Sequence, residues 1–194
     1  MKITKPQTEM PQFRFIEEPL KYDGSQLKSL YAYLNHQILG DSIVAFTGPC
    51  DVSFEHMVDG EDFLEGSAIR GDSMLHFIIE LFGRNLEQAV TFQRLFTLMV
   101  QEHIHQISPH KLTRSGDDLF LGDGKLSISI ATVSPVSALI HFAMNITNAG
   151  TPVKTASLLD LDISPRELAR LVGKSFSDEV KTINEACWKV HWVK

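Results

Sequence analysis

The residue whose type and position most strongly indicate chemistry is Lys125, which begins a run of alternating small and apolar residues. Successive side chains of a strand point to opposite faces, so Lys125, Ser127 and Ser129 share one face. We expect the other face to be core, formed by Leu126, Ile128 and Ile130. Small side chains leave room for a ligand, and a lysine ammonium binds carboxylate or phosphate oxygens. We predict that Lys125 is catalytic and that Ser127 and Ser129 floor a ligand cavity; a sheet with one solvent-facing side is the alternative.

Two neighbouring predicted strands add polar residues that can hydrogen-bond a ligand. His76 lies within residues 73–82, and Asn145 lies near the end of residues 138–147. We predict both as ligand-binding residues, with a hydrogen-bonded core histidine as the alternative for His76. Two polar loops, each with a glycine and an arginine, are suited to bind phosphate or carboxylate. These loops contribute three further predicted ligand-binding residues: Arg70, Gly71 and Arg114.

Other reactive residue types lack the spacing that their chemistry needs. The acidic residues 55–62 do not follow the pattern of a calcium-binding loop. His103 and His105 point to different sides of a predicted helix, and Cys50 has no adjacent histidine to activate it. The sequence contains no Walker loop, no Gly-x-Ser-x-Gly and no Cys-x-x-Cys motif. We therefore predict no metal site and no nucleophile of these kinds.

Composition narrows the class of protein. The chain has 194 residues and a net charge of −6. Because proteins that coat nucleic acids carry an excess of basic residues, we consider a nucleic-acid partner unlikely. Two cysteines are too few for a disulfide scaffold and are typical of a reducing compartment. No apolar run approaches the roughly 20 residues of a membrane span. We expect a cytoplasmic protein that binds a small molecule and no membrane.

The pattern of predicted elements indicates an α+β fold with a mixed, largely antiparallel sheet flanked by helices. Apolar residues return at helical spacing in three predicted helices, at residues 25–34, 86–105 and 165–185. Strands are predicted at residues 12–16, 42–46, 73–82, 119–121, 125–133 and 138–147. Residues 66–72 and 113–118 are predicted to be loops.

The two ends of the chain bear on domain organisation and assembly. Residues 1–20 are polar and contain Pro6, Pro11 and Pro19, so we predict an extended N-terminal arm followed by a single domain at residues 21–194. A predicted closing strand alternates Trp188, Val190 and Trp192. Such a strand forms an edge that can pair with a second copy of the chain, so we expect a homodimer as one form of assembly.

Several segments resemble a prokaryotic family that is known only as a domain of unknown function. They are Tyr22-Asp-Gly-Ser, Ile38-Leu-Gly-Asp-Ser, Met57-Val-Asp, the run at residues 125–137 and the closing Val-x-Trp-Val. The resemblance extends over nearly the whole chain from Tyr22 onward. It implies a shared fold without an established activity.

A second resemblance is to the catalytic domain of biotin protein ligases and lipoate ligases. Residues 116–130 resemble their catalytic hairpin, in which a Pro-Asn-Asp turn leads to Gly-Arg-Lys and a strand of small residues. Asp118 matches the aspartate of that turn, and Lys125 matches the lysine that contacts the acyl carboxylate and the adenylate phosphate. The resemblance implies a ligase-like fold of the class II synthetase type. It also implies Asp118 as a ligand-binding residue and ATP with Mg²⁺ as cofactors.

The chain departs from the ligases at the turn, which lacks their Trp and Pro, and at their Gly-Arg-rich loop, where Arg70–Gly71 is the match. Three functions stay open. The first is a carboxylate-activating, ATP-dependent ligase or an acyltransferase that uses Lys125. The second is a non-catalytic module that binds a nucleotide or cofactor, which the missing loop favours. The third is a homodimeric scaffold built on the closing strand.

Overall fold

A five-stranded sheet forms the centre of the fold, and the computed structural model describes residues 10–66, 69–151, 153–191 and 193. Along the chain the strands are β1 (Gln12–Phe15), β2 (Ser42–Val52), β3 (Ile69–Phe82), β4 (Leu112–Ser115), β5 (Asp118–Leu121), β6 (Gly124–Lys125), β7 (Ser127–Val133) and β8 (Ser137–Asn145). The helices are α1 (Tyr31–His36), α2 (Gly60–Glu65), α3 (Leu86–Ile107) and α4 (Pro165–Trp188), with a 3₁₀ turn at Phe54–His56.

The central sheet has the strand order β1-β2-β3-β8-β7, and β4, β5 and β6 form a second, smaller sheet. β1 runs parallel to β2, whereas β2–β3, β3–β8 and β7–β8 are antiparallel pairs. The sheet is therefore mixed and largely antiparallel, which confirms the predicted α+β class. β1 lies within the segment predicted as an arm, where Phe13 packs against Gly173 of α4.

Helices α3 and α4 cover one face of the central sheet. The Asn85 side chain accepts a hydrogen bond from Gln88 N at 2.9 Å, and the Gln88 side chain accepts one from Asn85 N at 3.0 Å, so a capping box begins α3. Ser164 caps α4, which starts with Pro165. The apolar sides of both helices pack on the sheet around four buried aromatic residues: Phe77, Phe96, Phe142 and Phe176. None of the helices among the described residues is both long and apolar enough to cross a bilayer.

The opposite face of the sheet carries two buried histidines. A second apolar cluster lies on this side and includes Tyr22, Phe46 and Ile78. His76 and His141 are buried on the same side, next to Tyr22. Loops and the short helix α2 border this face.

Two predicted boundaries are wrong because tertiary contacts override the local pattern. The helix predicted from residue 25 begins only at Tyr31, since the buried Glu80 carboxylate accepts a hydrogen bond from Leu30 N at 3.0 Å. Leu30 adopts a left-handed backbone conformation with φ of 64°, which a continuous helix excludes. β3 begins at Ile69 inside the predicted loop, because residues 69–71 pair with the extended end of β2.

Three other predictions near the hairpin and the C-terminus also change. The loop predicted at residues 113–118 contains β4, which pairs with β5, and the strand predicted from Lys125 is divided between β6 and β7. Trp188 is the last residue of α4, Val190 lies in neither helix nor strand, and Trp192 lies outside the described residues. The prediction of a strand at Trp188 is wrong because the helix continues through it. The homodimer predicted on that strand therefore loses the element on which it was based.

Candidate functional site

A cavity of about 350 Å³ opens on the sheet face that α3 and α4 leave uncovered. We call it the first hollow. Its walls are formed by Tyr22, by His141, by α2 with the loop before it, and by residues of β5, β6 and β7. Ile128 and Ile130 of β7 give it an apolar floor. Its volume lies in the range of small-molecule sites, and Asp118, Lys125 and His141 line it, so the first hollow is the candidate site.

Lys125 is positioned by the hairpin between β5 and β6, where it pairs with Phe120 across the small sheet. Its Nζ lies 2.8 Å from Asp118 Oδ2, and its side chain is 34% exposed. Burial raises the pKa of the Asp118 carboxyl, and the adjacent ammonium only partly offsets that effect. The structure therefore brings together the two residues that the hairpin pattern singled out, at the edge of the first hollow.

A second hollow of about 230 Å³ adjoins the first, and the two share Asp62, Ile69, Lys125 and Ile128 as lining residues. We call it the second hollow. Polar groups of four other residues line it: Arg70, Asn145, Thr151 and Thr155. Lys125 thus stands where the two hollows meet, which is a position from which one ammonium can contact ligands in both.

Five carboxylates line the first hollow: Asp59, Glu61, Asp62, Asp117 and Asp118. Asp59 caps α2 by accepting hydrogen bonds from the backbone N–H groups of Glu61 and Asp62, at 2.8 and 3.3 Å. Asp117 accepts hydrogen bonds from α3 and β7, and Asp118 holds Lys125. Burial, together with the negative charge of Asp59, raises the pKa of Asp62. Three of the five carboxylates are therefore engaged by protein groups.

His141 lines the first hollow, and His76 lies behind it in the protein interior. His76 Nδ1 is 3.1 Å from His141 Nε2, and His76 Nε2 is 3.2 Å from the carbonyl oxygen of Gly48. The Tyr22 ring stacks on the His141 ring with a centroid distance of 3.7 Å. Burial lowers the pKa of His76 to about 4 and lowers that of His141 well below its usual value. Both imidazoles are therefore neutral near pH 7.

The predicted floor of serine side chains is wrong, because the two faces of β7 are exchanged relative to the prediction. Ser127 Oγ is buried and accepts a hydrogen bond from Leu119 N at 2.9 Å. Ser129 Oγ bonds to Gln93 of α3 at 2.8 Å and to Asp117 at 2.7 Å, so only the edge of Ser129 reaches the first hollow. The serines thus face the helical layer, and the isoleucines between them face the cavity.

The remaining predicted ligand-binding residues fall into different environments. Arg70 lines the second hollow and pairs with Asp51 at 3.0 Å, and both side chains are largely exposed. Gly71 is buried, and a Cβ there would lie 2.8 Å from Met74 Sδ. Asn145 donates hydrogen bonds to the carbonyl oxygens of Lys125 and Ala156, which ties β6 to the segment after β8. Arg114 is exposed, donates to the Gly116 carbonyl oxygen and lines neither hollow.

Sequence reasoning missed the pair formed by Tyr22 and His141, and it also missed the threonines of the second hollow. Strand alternation places His141 and Asn145, four positions apart, on the same face of their strand, which is a usable signal. Tyr22 gives no such signal, because its stacking partner lies 119 positions away in the sequence. Within the described ranges, no three or more His, Cys, Asp or Glu side chains are grouped so that they could hold a metal ion.

Comparison with known proteins identifies close relatives. An uncharacterised protein of Methanocaldococcus jannaschii, MJ0805, is 32% identical over 183 residues, which cover 91% of this chain and 82% of that protein. Among solved structures, a protein of unknown function from Pyrococcus horikoshi is similar with a TM-score of 0.89 and 38% identity. That similarity covers 94% of this chain and 100% of the other.

Solved structures of ligases are also similar to this chain, at lower sequence identity. Biotin protein ligase from Aquifex aeolicus in complex with biotin and ATP is similar with a TM-score of 0.60 and 13% identity, over 88% of this chain and 72% of the ligase. The protein Ta0514 of T. acidophilum, a candidate lipoate protein ligase solved with bound lipoic acid, is similar with a TM-score of 0.58 and 14% identity. That similarity covers 89% of this chain and 86% of Ta0514. These likenesses show that the chain has the predicted biotin/lipoate ligase-like fold. The family described as a domain of unknown function (DUF366) matches residues 11–191, so the chain belongs to that family.

Proposed function

We propose that this protein is a ligase or acyltransferase that acts on a small carboxylic compound, with Lys125 holding the carboxylate. The observation that carries the proposal is the place of Lys125, whose side chain lines both hollows at their junction. An ammonium beside the apolar floor of Ile128 and Ile130 fits a compound with an apolar body and one carboxylate. Asp118, 2.8 Å away, keeps the ammonium in place before a ligand arrives.

The residues that line the second hollow favour the binding of a second substrate there. Arg70 and Lys125 are cations that bind phosphate or carboxylate oxygens, whereas the hydroxyls of Thr151 and Thr155 are hydrogen-bonded to Asn148 and to each other. The exposed pair between Arg70 and Asp51 is weak, so Arg70 can exchange its partner for a ligand. With ATP as second substrate, a carboxylate oxygen would attack the α-phosphorus, which forms an acyl adenylate and releases pyrophosphate, and Arg70 and Lys125 would hold the phosphates. Mg²⁺ would accompany the phosphates, since it is commonly bound through them and few protein groups.

A second candidate function is a module that binds a small molecule, nucleotide or cofactor without transforming it. The position of Arg114 favours this candidate, because its guanidinium donates to Gly116 and reaches neither hollow. The two candidates share the ligand and differ in the chemistry that follows binding.

The binding step is tested with a panel of short and medium carboxylic acids in a thermal-shift assay followed by calorimetry. Wild type is compared with Lys125→Gln and with the control Lys154→Gln, which removes an exposed lysine paired with Asp123. We expect Lys125→Gln to weaken binding of the best acid by about tenfold to a hundredfold, as a charge-assisted hydrogen bond is lost. We expect the control to bind as wild type does. Equal affinities of wild type and Lys125→Gln would contradict the proposal.

The chemical step is tested with the acid that binds best. Exchange of labelled pyrophosphate into ATP in the presence of that acid and Mg²⁺ reports activation of the carboxylate. Transfer of the same acyl group from its thioester is measured in parallel. Exchange or transfer that depends on Lys125 supports the ligase or acyltransferase. Binding without either reaction supports the non-catalytic module.

A further inference from the structure

The protonation of the His141 imidazole is determined by its hydrogen bond to His76 and by the hydrogen bond from His76 to Gly48 O. A carbonyl oxygen can only accept a hydrogen bond, so the contact between Gly48 O and His76 Nε2 requires a hydrogen on His76 Nε2. A neutral imidazole carries one N–H, and burial lowers the pKa of His76 to about 4. His76 Nδ1 is therefore a bare acceptor.

The contact between the two histidines fixes the tautomer of His141 as well. Because His76 Nδ1 only accepts, the 3.1 Å contact to His141 Nε2 requires a hydrogen on His141 Nε2. His141 is buried and neutral, since burial and the neighbouring His76 lower its pKa. Its remaining nitrogen, Nδ1, then carries a lone pair and no hydrogen. Two hydrogen bonds thus fix the tautomer of an imidazole that borders the first hollow.

Packing fixes the orientation of the two rings as well as their tautomers. Tyr22 stacks on His141 with an interplanar angle of 13°, and Phe46 stacks on His76 with a centroid distance of 5.0 Å. A ring flip of His141 would replace the Nε2 contact to His76 by a C–H group and would leave His76 Nδ1 without its donor. Among the described residues, His141 Nδ1 accepts no hydrogen bond from a protein group.

We propose that His141 Nδ1 is a hydrogen-bond acceptor for ligands of the first hollow and favours ligands that carry an N–H or O–H donor. His141 lies opposite Ile130 in the β7–β8 pair. Ile130 is five positions after Lys125 in the sequence, a separation of at most roughly 17 Å of extended backbone. The ligand class is therefore a small carboxylic compound with an amide-type N–H or a hydroxyl at the end remote from its carboxylate. This part of the inference rests on the proposed role of Lys125, whereas the acceptor role of His141 does not.

The test uses protein labelled with ¹⁵N in its histidines, and two small probes that lack a carboxylate. The probes are 2-pyrrolidinone, which has one N–H donor, and N-methyl-2-pyrrolidinone, which has none. Before any addition, we expect the long-range ¹H–¹⁵N couplings of His141 to report a protonated Nε2 and a bare Nδ1. On titration, we expect 2-pyrrolidinone to shift the His141 Nδ1 resonance and to bind about fivefold tighter than the methylated probe.

A protonated Nδ1 in the free protein, or an Nδ1 resonance that responds equally or not at all to the two probes, would overturn the inference. His141→Leu provides a second control, in which the preference for the N–H probe is lost. The methylated probe keeps the test decisive even where that variant does not fold. Because neither probe carries a carboxylate, failure of carboxylic acids to bind at Lys125 overturns the proposed function separately and leaves the acceptor role of His141 standing.

Discussion

The buried histidine pair predicts a specific loss of stability in mild acid. His76 has a pKa of about 4 in the folded protein, against about 6.5 in an unfolded chain. Between these values the unfolded chain binds a proton that the folded protein does not bind, so stability falls as the pH falls from 6.5 towards 4 and falls no further below it. From pH 7 to pH 5 this linkage removes about 2 kcal/mol from the free energy of unfolding.

The groups that face His76 do not offset this loss of stability. His141 contacts it from β8 and titrates with a pKa lowered by burial, and the Tyr22 phenol, whose pKa burial raises, stays neutral throughout this range. Gly48 O and the Phe46 ring complete the surroundings and carry no charge. His141 therefore adds to the loss of stability and does not offset it.

The assay is urea unfolding at pH 7 and pH 5 for wild type, His76→Gln and the control His110→Gln, whose histidine is exposed. The glutamine at residue 76 removes the titrating ring and keeps an amide that can donate to Gly48 O. We expect wild type and the control to lose about 2 kcal/mol more than His76→Gln between the two pH values, which is a midpoint difference of roughly 1 M urea. Equal losses in His76→Gln and wild type would refute the reasoning.

Three further predictions concern stability and binding. Ser127→Ala leaves the buried Leu119 N–H without its acceptor and should lower the free energy of unfolding by about 1–3 kcal/mol in urea, with unchanged affinity for carboxylic acids in calorimetry. Gly48→Ala places a Cβ 2.0 Å from Leu20 O and should destabilise by about 3 kcal/mol or more. Gly60→Ala meets no atom within 4 Å and should change stability by less than about 1 kcal/mol. A weaker ligand affinity in Ser127→Ala, or equal stabilities of the two glycine variants, would contradict these expectations.

The elements predicted correctly are those whose signals are local. α3 and α4 follow from capping residues and a continuous apolar stripe, which are signals that lie within each segment. β4 and the first residues of β3 have polar sequences typical of loops, and they become strands because partners elsewhere supply their hydrogen bonds. Leu30 similarly leaves the helical conformation where Glu80, fifty positions away, binds its N–H.

The candidate site divides in the same way. The pair formed by Lys125 and Asp118 was predictable because a hairpin brings nearby residues together. The alternation of side chains along a strand correctly grouped Ser127 with Ser129. It shows which residues share a face of the strand, but it does not show which of the two faces packs against the helices. The cluster of Tyr22, His76 and His141 joins three distant segments, so no window of sequence contains it.

The most direct test of the role of Lys125 is a calorimetric comparison of one carboxylic acid from the panel with its primary amide. The two compounds share their apolar body and differ in the charge that Lys125 would meet. We predict that wild type binds the acid about tenfold tighter than the amide or more, and that Lys125→Gln removes this preference. Equal affinities for acid and amide in wild type, or an undiminished preference in Lys125→Gln, would contradict the central claim.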